Sequence, residues 1–138
     1  MKEKLDRILL VDDDDSTNFL HKTILGRLDC ANHIDVCQNG KEAIEFLSAK
    51  VDGEYPQPNV IFLDINMPIM NGWEFLEAYE KLIPEQKGDL IIAMVTTSTN
   101  PADRQKAQDF NFVSTFMNKP MRKDNIRELL KAHFPNLF

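Results

Sequence analysis

The sequence predicts one α/β domain in which a doubly wound, five-stranded parallel sheet carries helices on both faces. Two runs, Val60–Leu63 and Leu90–Val95, have no polar interruption, which is typical of strands buried on both faces of a parallel sheet. Segments with helical periodicity alternate with five short strand-like runs, as in doubly wound folds. The chain has 138 residues, a length that suits one domain rather than two.

The first predicted strand leads directly into the first helix. Ile8–Val11 is a short apolar run that stops at four consecutive aspartates. Asp15 or Ser16 can cap the helix that follows, because short polar side chains accept hydrogen bonds from the first backbone amides of a helix. This helix should bury an apolar stripe made of Phe19, Leu20, Ile24, Leu25 and Leu28.

A second strand and helix come next. Ile34–Val36 alternates like a half-buried strand, and Asn39-Gly40 indicates a turn. Glu42–Ala49 then predicts a helix with one apolar side. Lys50–Pro58 contains a glycine and two prolines, so we expect an exposed loop that is longer than most connections.

The central strand ends on Asp64 and is followed by the third helix. Asn71-Gly72 interrupts the chain before this helix. The helix should end before Pro84, because the residue that precedes a proline disfavours helical geometry. Its apolar stripe comprises Trp73, Leu76, Tyr79, Leu82 and Ile83. Pro84–Asp89 is predicted to be a polar loop.

The last third of the chain predicts two helices around a strand. Asn100 followed by Pro101 is typical of a cap and first helical turn, so a fourth helix should run from there to about Phe110. Val113–Met117 predicts the fifth strand. Asp124 is expected to cap a final helix, whose buried face should comprise Ile126, Leu129, Leu130 and His133.

Five alternating units with right-handed crossovers favour the strand order 2-1-3-4-5, the order of flavodoxin-like sheets. In this order the chain changes direction between strands one and three, and ligands bind at such a point, beyond the carboxyl ends of the strands. Asp12 and Asp13 follow the first strand, and Asp64 follows the third. The sequence therefore predicts three carboxylates in one crevice.

Three carboxylates in one crevice repel each other unless a cation lies among them. We expect this cation to be Mg²⁺, because the predicted ligands are all oxygens: Asp13, Asp64 and a backbone carbonyl near Asn66. Asp12 would hold a metal-bound water or orient Asp13. Zinc is a poor match to an all-oxygen ligand set.

A hydroxyl and a cation follow the next two strands of the predicted sheet. Thr96 ends the fourth strand and Lys119 comes just after the fifth. Either residue alone is commonly structural, as a turn residue or as half of an ion pair. Together with the metal they would serve the three oxygens of a phosphoryl group, which leaves a carboxylate oxygen of Asp64 as the nucleophile.

These residues resemble the motifs of the receiver domain of two-component response regulators over nearly the whole chain. The matching positions are Asp12 and Asp13, the Asp64-to-Pro68 turn with Gly72, Thr96, and the Lys119-Pro120 step. The resemblance implies a stand-alone, chemotaxis-regulator-like receiver domain over residues 1–138 that is not a metabolic enzyme. A histidine kinase or histidine phosphotransfer protein would donate a phosphoryl group from phosphohistidine to Asp64, and the receiver would catalyse only its own phosphorylation and dephosphorylation.

The same resemblance assigns roles to individual residues. It implies metal binding by Asp12, Asp13 and Asn66, phosphoryl contacts by Lys119 and Thr96, and a cis bond before Pro120. Phe116 matches the switch aromatic of the family, and the alternative is a core phenylalanine on the last strand. In the switch, Thr96 moves toward the phosphoryl group and Phe116 rotates inward. The surface of the fourth helix, fifth strand and fifth helix then changes.

Thr97 departs from the family pattern, in which smaller residues are frequent at this position. With Asn66 and Ser98 it should border the path of the water that hydrolyses the acyl phosphate. We expect Thr97 to crowd this path and to lengthen the phosphoryl lifetime. Asp14 and Asp15 extend the acidic pair to four residues, and we interpret them as a solvated turn and helix cap.

Three other functions remain open from the sequence. An aspartate-nucleophile phosphohydrolase normally has an acid two residues after the nucleophile, where this chain has Asn66. A flavodoxin-like cofactor binder would have a glycine-rich and hydroxyl-rich loop after the first strand, where this chain has aspartates. A receiver that acts as an unphosphorylated interaction module would have no need to retain the residues of the phosphorylation site, whereas this chain has Asp13, Asp64, Thr96 and Lys119.

Composition limits the partners and the compartment. The formal net charge of −6 disfavours nucleic acid and anionic membranes as partners. Cys30 and Cys37 have neither metal-ligand nor redox spacing, so we expect two reduced thiols in a cytoplasmic protein without a membrane span.

After the last helix the chain is too short for an output domain, so we expect the output to be altered binding to a separate protein target. The apolar residues Phe134, Leu137 and Phe138 would either pack on their own domain or seal a homodimer.

Overall fold

The computed structural model describes residues 4–87 and 91–138 and confirms the predicted fold class. The five strands form one parallel sheet with the order β2-β1-β3-β4-β5. The strands are β1 (Leu5–Val11), β2 (Ala31–Cys37), β3 (Val60–Leu63), β4 (Ile91–Thr96) and β5 (Val113–Asn118). The helices are α1 (Asp15–Leu28), α2 (Gly40–Ser48), α3 (Gly72–Glu80), α4 (Pro84–Lys87), α5 (Pro101–Ala107) and α6 (Lys123–His133).

Two apolar cores lie on opposite faces of this sheet. One joins alternate strand residues to α2, α3 and α5, and the other joins the intervening strand residues to α1 and α6. All four residues of β3 are buried, which confirms that the central strand is covered on both faces. The apolar tail, Phe134, Leu137 and Phe138, packs against the second core.

The strands are longer than predicted at several ends, because parallel pairing continues beyond the apolar runs. β1 and β2 pair from Leu5 and Ala31 onward rather than only from Ile8 and Ile34. β5 continues to Asn118. The predicted start of the fourth strand, Leu90, lies outside the described residues.

The cap of α1 lies one residue earlier than predicted. Asp14, rather than Asp15 or Ser16, occupies the cap position and accepts a hydrogen bond from the backbone N–H of Thr17. The backbone of Asp14 is extended, as a cap requires, whereas Asp15 is already helical. Asp15 therefore adds negative charge to the first helical turn, where the helix dipole favours it.

The buried face of α1 also differs from the prediction. Phe19 is 75% exposed and Leu20 is 42% exposed, so two members of the predicted apolar stripe face solvent. Asn18 and His21 are buried on the face that packs against the sheet, together with Leu25. Hydrogen bonds to backbone groups outside the helix, described below, satisfy Nδ2 of Asn18 and Nε2 of His21, whereas the buried Oδ1 of Asn18 has no hydrogen-bond partner among the described residues.

The predicted start of α6 was wrong as well. Arg122 is at the cap position, and its backbone N–H donates to the side-chain oxygen of Asn125. Asp124 is already inside the first turn, where its charge favours the helix dipole. His133 is exposed at the end of α6 rather than on the buried face.

The predicted turn at Asn39-Gly40 is the start of α2. The Asn39 side chain caps the helix by accepting from the backbone N–H of Glu42 at 2.9 Å. The helix ends at Ser48, one residue before the predicted end. The residue predicted to form a turn therefore also caps the helix, because a short amide side chain suits both positions.

The segments after α3 and α5 differ from the prediction. α3 ends at Glu80, and Pro84–Lys87 forms the short helix α4 instead of a loop. α5 ends at Ala107, and the following residues up to Phe110 form tight turns in which the Phe110 N–H donates to the Ala107 carbonyl. In the exposed loop after α2, Val51 and Glu54 form an isolated antiparallel bridge.

Among the described residues, every helix is too short or too polar to cross a membrane. Cys30 and Cys37 are both buried thiols rather than partners in a disulfide. Burial raises the pKa of Cys37 to about 12. Both thiols thus behave as small apolar core residues.

Candidate functional site

The candidate site lies at the carboxyl ends of β1 and β3, which are neighbours in the sheet. Val11 and Leu63 are paired across these strands, so Asp12 and Asp64 are the first residues beyond the same edge. The Asp64 N–H donates to the Val11 carbonyl at 2.9 Å. This parallel register, rather than closeness in the chain, brings the two carboxylates together.

The predicted cluster of three carboxylates is present. Asp12, Asp13 and Asp64 each offer a carboxylate oxygen, and these oxygens all lie within 4.8 Å of one another. Asp12 is 5% exposed and Asp64 is 6% exposed, whereas Asp13 faces solvent. A set of oxygen donors that is open on one side matches the coordination preferences of a hard divalent cation such as Mg²⁺.

Lys119 reaches both buried carboxylates. Its Nζ lies 2.5 Å from Oδ2 of Asp12 and 3.1 Å from Oδ2 of Asp64. The backbone N–H of Lys119 donates to the carbonyl of Thr96 at 2.9 Å, which continues the pairing of β4 and β5. The peptide bond from Lys119 to Pro120 is cis, as the family resemblance implied.

The charges in this cluster perturb one another. Burial raises the pKa of Asp64, and the charge of Asp12 raises it further, while the ammonium of Lys119 acts in the opposite direction. Burial alone would lower the pKa of Lys119. Its hydrogen bond to Asp12 and the charges of both carboxylates outweigh burial and raise this pKa. The cluster therefore has one shared cation for two buried anions, and binding of a further cation would stabilise it.

The turn after Asp64 is tightly fixed. Oδ1 of Asp64 accepts from the N–H of Ile65 at 2.8 Å, and the N–H of Gly72 donates to the Ile65 carbonyl at 2.8 Å. A Cβ atom on Gly72 would lie only 2.4 Å from the carbonyl oxygen of Asp64, so this position requires glycine. Asn66 is exposed on this turn.

Thr96 ends β4 and is fully buried. Its hydroxyl oxygen accepts from the N–H of Ser98 at 3.1 Å, which fixes the turn that contains Thr97. Thr97 is exposed, and the Ser98 hydroxyl donates to Asp103 at the start of α5. The structure thus places the three residues at the carboxyl edge of the sheet, as predicted, with the Thr96 hydroxyl engaged in the local turn.

Phe116 is partly buried on β5 and packs against the core that includes α3 and α5. It is paired with Met94, two residues before Thr96, so Phe116 and Thr96 lie on the same face of the sheet. The guanidinium of Arg104 on α5 lies 5.0 Å from the centre of the Phe116 ring. The ring borders surface cavities of about 200 Å³, 250 Å³ and 640 Å³.

Two residues near the site were missed by sequence reasoning. Nδ2 of Asn18 donates to the carbonyl of Asp12 at 2.8 Å, and Nε2 of His21 accepts from the N–H of Met121 at 3.1 Å. The signal in the sequence was two polar residues three apart inside a helix that also buries Leu25. Such spacing is detectable, but the partner of His21 lies 100 residues away in the chain, where the spacing gives no indication of it.

Comparisons with known proteins agree on one family. The family model for the response regulator receiver domain matches residues 8–131. Two-component response regulator 24 of Arabidopsis thaliana is 31% identical over 122 residues, which cover 88% of this chain and 79% of that protein. Two-component response regulator ORR1 of Oryza sativa subsp. indica is 29% identical over 128 residues, which cover 91% of this chain and 54% of that protein. The crystal structure of a two-component response regulator from Cytophaga hutchinsonii is similar with a TM-score of 0.80 and 31% identity, covering 94% of this chain and 97% of that one.

Proposed function

The chain belongs to the response regulator receiver family, and on that premise we propose that Asp64 accepts a phosphoryl group in a two-component phosphorelay. The donor is a phosphohistidine on a histidine kinase or on a histidine phosphotransfer protein. The observation that supports this most directly is the position of the Lys119 ammonium, which contacts Asp64 and Asp12 together. A carboxylate paired with a shared cation at a strand end is suited to take up a dianionic group.

In the transfer, a carboxylate oxygen of Asp64 attacks phosphorus, the phosphorus–nitrogen bond to the donor histidine breaks, and the imidazole leaves. An acyl phosphate remains on Asp64. Lys119 then balances charge on one phosphoryl oxygen, and the Thr96 hydroxyl donates to another. Hydrolysis by water returns the free carboxylate and inorganic phosphate, so the protein catalyses only its own phosphorylation and dephosphorylation.

We propose that Mg²⁺ binds in the same cluster. Asp13, Asp64 and the backbone carbonyl of Asn66 would be its ligands, and Asp12 would orient a coordinated water or Asp13 itself. The three neighbouring carboxylate oxygens support this assignment because they are hard donors. Bound Mg²⁺ supplies positive charge to the phosphoryl oxygens during transfer.

Thr96 and Phe116 are the proposed switch residues. Since the two side chains lie on one face of neighbouring strands, a move of Thr96 toward a phosphoryl group changes the space available to Phe116. The partial burial of Phe116 beside surface cavities supports this assignment. The surface formed by α5, β5 and α6 would then change its affinity for a separate protein target.

Asn66, Thr97 and Ser98 are proposed to set the phosphoryl lifetime. Asn66 and Thr97 are exposed at the mouth of the site, and Ser98 is held by Asp103. Threonine at position 97 is larger than the residues that are frequent there in the family, and its side chain would narrow the path of the hydrolytic water. The cytoplasm, where histidine kinases present their phosphohistidine, is the expected compartment.

Incubation with acetyl phosphate and Mg²⁺, followed by mass spectrometry of the intact protein, tests the proposal. We expect one added phosphoryl group on the native protein and none on Asp64→Asn. Asp52→Asn, which changes an exposed aspartate away from the site, should be phosphorylated like the native chain. Absence of an acyl phosphate on the native protein would favour an unphosphorylated interaction module. Turnover of a small phosphate ester at enzymatic rates would favour a phosphohydrolase.

A further inference from the structure

The buried face of α1 carries two polar residues that the proposed chemistry does not use. Asn18 is 5% exposed and His21 is 4% exposed, and they lie three residues apart on the same side of the helix. Polar side chains in a helix–sheet interface cost free energy unless they are hydrogen-bonded. Their hydrogen-bond partners therefore indicate what they stabilise.

Both partners belong to the two turns that carry the site. Asn18 donates to the carbonyl of Asp12 at 2.8 Å, at the end of β1. His21 accepts at Nε2 from the N–H of Met121 at 3.1 Å, in the turn after β5. Asp12 also forms an ion pair with Lys119. Side chains of α1 therefore form hydrogen bonds to the backbone at or next to both members of this ion pair.

The turn that carries Lys119 is anchored by hydrogen bonds on both sides of Pro120. Pro120 has no N–H, so the first amide after Lys119 that can hold the turn is that of Met121. Met121 is 1% exposed, and its N–H would be buried without an acceptor if His21 were replaced by an apolar residue. On the other side, the Lys119 N–H is held by the Thr96 carbonyl.

We propose that His21 is a positioning residue for Lys119. By accepting from the N–H of Met121, the imidazole fixes the turn so that the Lys119 ammonium reaches Asp12 and Asp64 at once. This inference rests on the proposed role of Asp64 as phosphoacceptor. It adds that α1, which carries neither Asp64 nor Lys119, helps to set the geometry of phosphoryl transfer.

The charge state of the ring is consistent with this role. Burial lowers the pKa of His21, and the nearby charge of Lys119 lowers it further, against the opposing charge of Asp12. A neutral imidazole with its proton on Nδ1 has a lone pair on Nε2, which is the atom that accepts from Met121.

The test compares three variants of α1. His21→Leu removes the acceptor and His21→Gln retains one on a flexible side chain. Leu25→Ala removes apolar volume from the same buried face and core but leaves the hydrogen bond from the N–H of Met121 in place. For each we would measure the rate of phosphorylation by phosphoramidate with Mg²⁺, the stability to urea, and Mg²⁺ affinity from the fluorescence of Trp73. The single tryptophan follows Gly72, which packs on the Asp64 backbone.

We expect His21→Leu to slow phosphorylation by about tenfold, the size expected if one lost buried hydrogen bond is felt fully in the barrier to transfer, and His21→Gln to recover most of that loss. Leu25→Ala should be destabilised at least as much as His21→Leu, but its rate of phosphorylation should stay within about twofold of the native rate. Mg²⁺ affinity should change by less than about threefold in all three. A native rate in folded His21→Leu, or an equal loss of rate in Leu25→Ala, would overturn the inference.

A double-mutant cycle separates positioning from general stability. If His21 acts through Lys119, His21→Leu should slow Lys119→Met by less than about twofold. A full additional loss in the Lys119→Met background would overturn the inference. If His21→Leu does not fold, the same cycle is measured with His21→Gln and His21→Asn. Only the glutamine oxygen reaches the position of Nε2, so His21→Asn then serves as the variant that lacks the acceptor and His21→Gln as the one that keeps it. If the native protein takes up no phosphoryl group, the proposed function fails; if it does and the cycle is additive, only the role of His21 fails.

Discussion

Nζ of Lys119 lies 3.1 Å from Oδ2 of Asp64, although the strands that precede these residues are not neighbours. β4 lies between β3 and β5, so the lysine side chain reaches across the end of one strand. A long, flexible side chain with a point charge is suited to this span. The ion pair therefore links the two halves of the carboxyl edge, and several predictions about the site depend on it.

Lys119→Met should slow phosphorylation by a small-molecule donor by about tenfold or more, because a charge-assisted contact to a reacting group contributes about 1.5–3 kcal/mol. Mg²⁺ should bind at least as tightly as in the native protein, since the variant removes a competing cation from the carboxylates. The measurements are the initial rate with phosphoramidate and a Mg²⁺ titration. Lys123→Met, an exposed change in α6, is the control and should keep the native rate.

The outcome for Mg²⁺ separates two explanations of a slow Lys119→Met variant. Loss of Mg²⁺ binding together with the rate would mean that the site has collapsed. Retained Mg²⁺ binding with a slow rate would place the defect in transfer itself. A native rate with retained binding would contradict the role proposed for the ion pair.

Sequence patterns predicted the fold because its strongest signals are local. The uninterrupted apolar run of β3 and the alternation of strands and helices define a parallel sheet without reference to distant contacts. Boundaries were less certain, as α1 shows. Its periodicity is compatible with burial of Phe19 and Leu20. The choice of face follows instead from two hydrogen bonds, in which Asn18 donates to the Asp12 carbonyl and His21 accepts from the N–H of Met121.

The site was predictable in its members but not in its contacts. Asp12, Asp64 and Lys119 follow strands whose order could be predicted, so their meeting at one edge follows from topology. The sharing of one ammonium by two carboxylates depends on side-chain distances that no spacing in the sequence specifies. The engagement of the Thr96 hydroxyl by the N–H of Ser98 is similarly a property of the folded turn.

Asp64→Asn should stabilise the protein in buffer without divalent cations. Burial and the charge of Asp12 raise the pKa of Asp64, which means that its ionised form is disfavoured in the fold. We expect a gain in the free energy of unfolding on the order of 1 kcal/mol, measured by urea denaturation with a chelator present. Mg²⁺ at about a hundred times its dissociation constant should then stabilise the native protein by about 2.7 kcal/mol and the variant by less.

Asp52→Asn is the control for this comparison and should respond to Mg²⁺ like the native protein. Equal stabilisation of Asp64→Asn and the native protein by Mg²⁺ would mean that Asp64 is not part of the metal site. Lower stability of Asp64→Asn without metal would mean that the Lys119 contact outweighs burial and repulsion.

Gly72→Ala should be destabilising by about 1–3 kcal/mol, because overpacking against backbone atoms forces the turn to shift. The added Cβ would meet the carbonyl oxygen of Asp64 at 2.4 Å and Cα of Ile65 at 3.0 Å. Gly26→Ala is the matched control, since its Cβ would meet nothing within 4 Å and alanine favours helices. Urea denaturation measures both, and a Gly72→Ala variant as stable as Gly26→Ala would contradict the predicted clash.

The buried thiol of Cys37 should make stability depend on alkaline pH. Burial raises its pKa from 9.0 to about 12, so the folded protein retains the thiol proton while the unfolded chain releases it. Stability from this group is complete below about pH 8.5 and declines as the pH rises toward the folded value. The difference in unfolding free energy between the native protein and Cys37→Ala, measured from about pH 8 to pH 11, should shrink across this range. A constant difference would contradict the shifted pKa.

Thr97→Ala should shorten the lifetime of the acyl phosphate on Asp64. Thr97 is exposed beside the buried Thr96, and the hydrogen bond from the Ser98 N–H to Thr96 fixes the turn between them. Removal of the hydroxyl and methyl groups would open the approach to the phosphorus for water without disturbing that turn. We expect dephosphorylation to accelerate by about three- to tenfold, equivalent to about 1 kcal/mol in the barrier, with little change in the rate of phosphorylation. Thr99→Ala, in the same exposed loop, should keep the native lifetime; an unchanged lifetime in Thr97→Ala would mean that water reaches the acyl phosphate by another path.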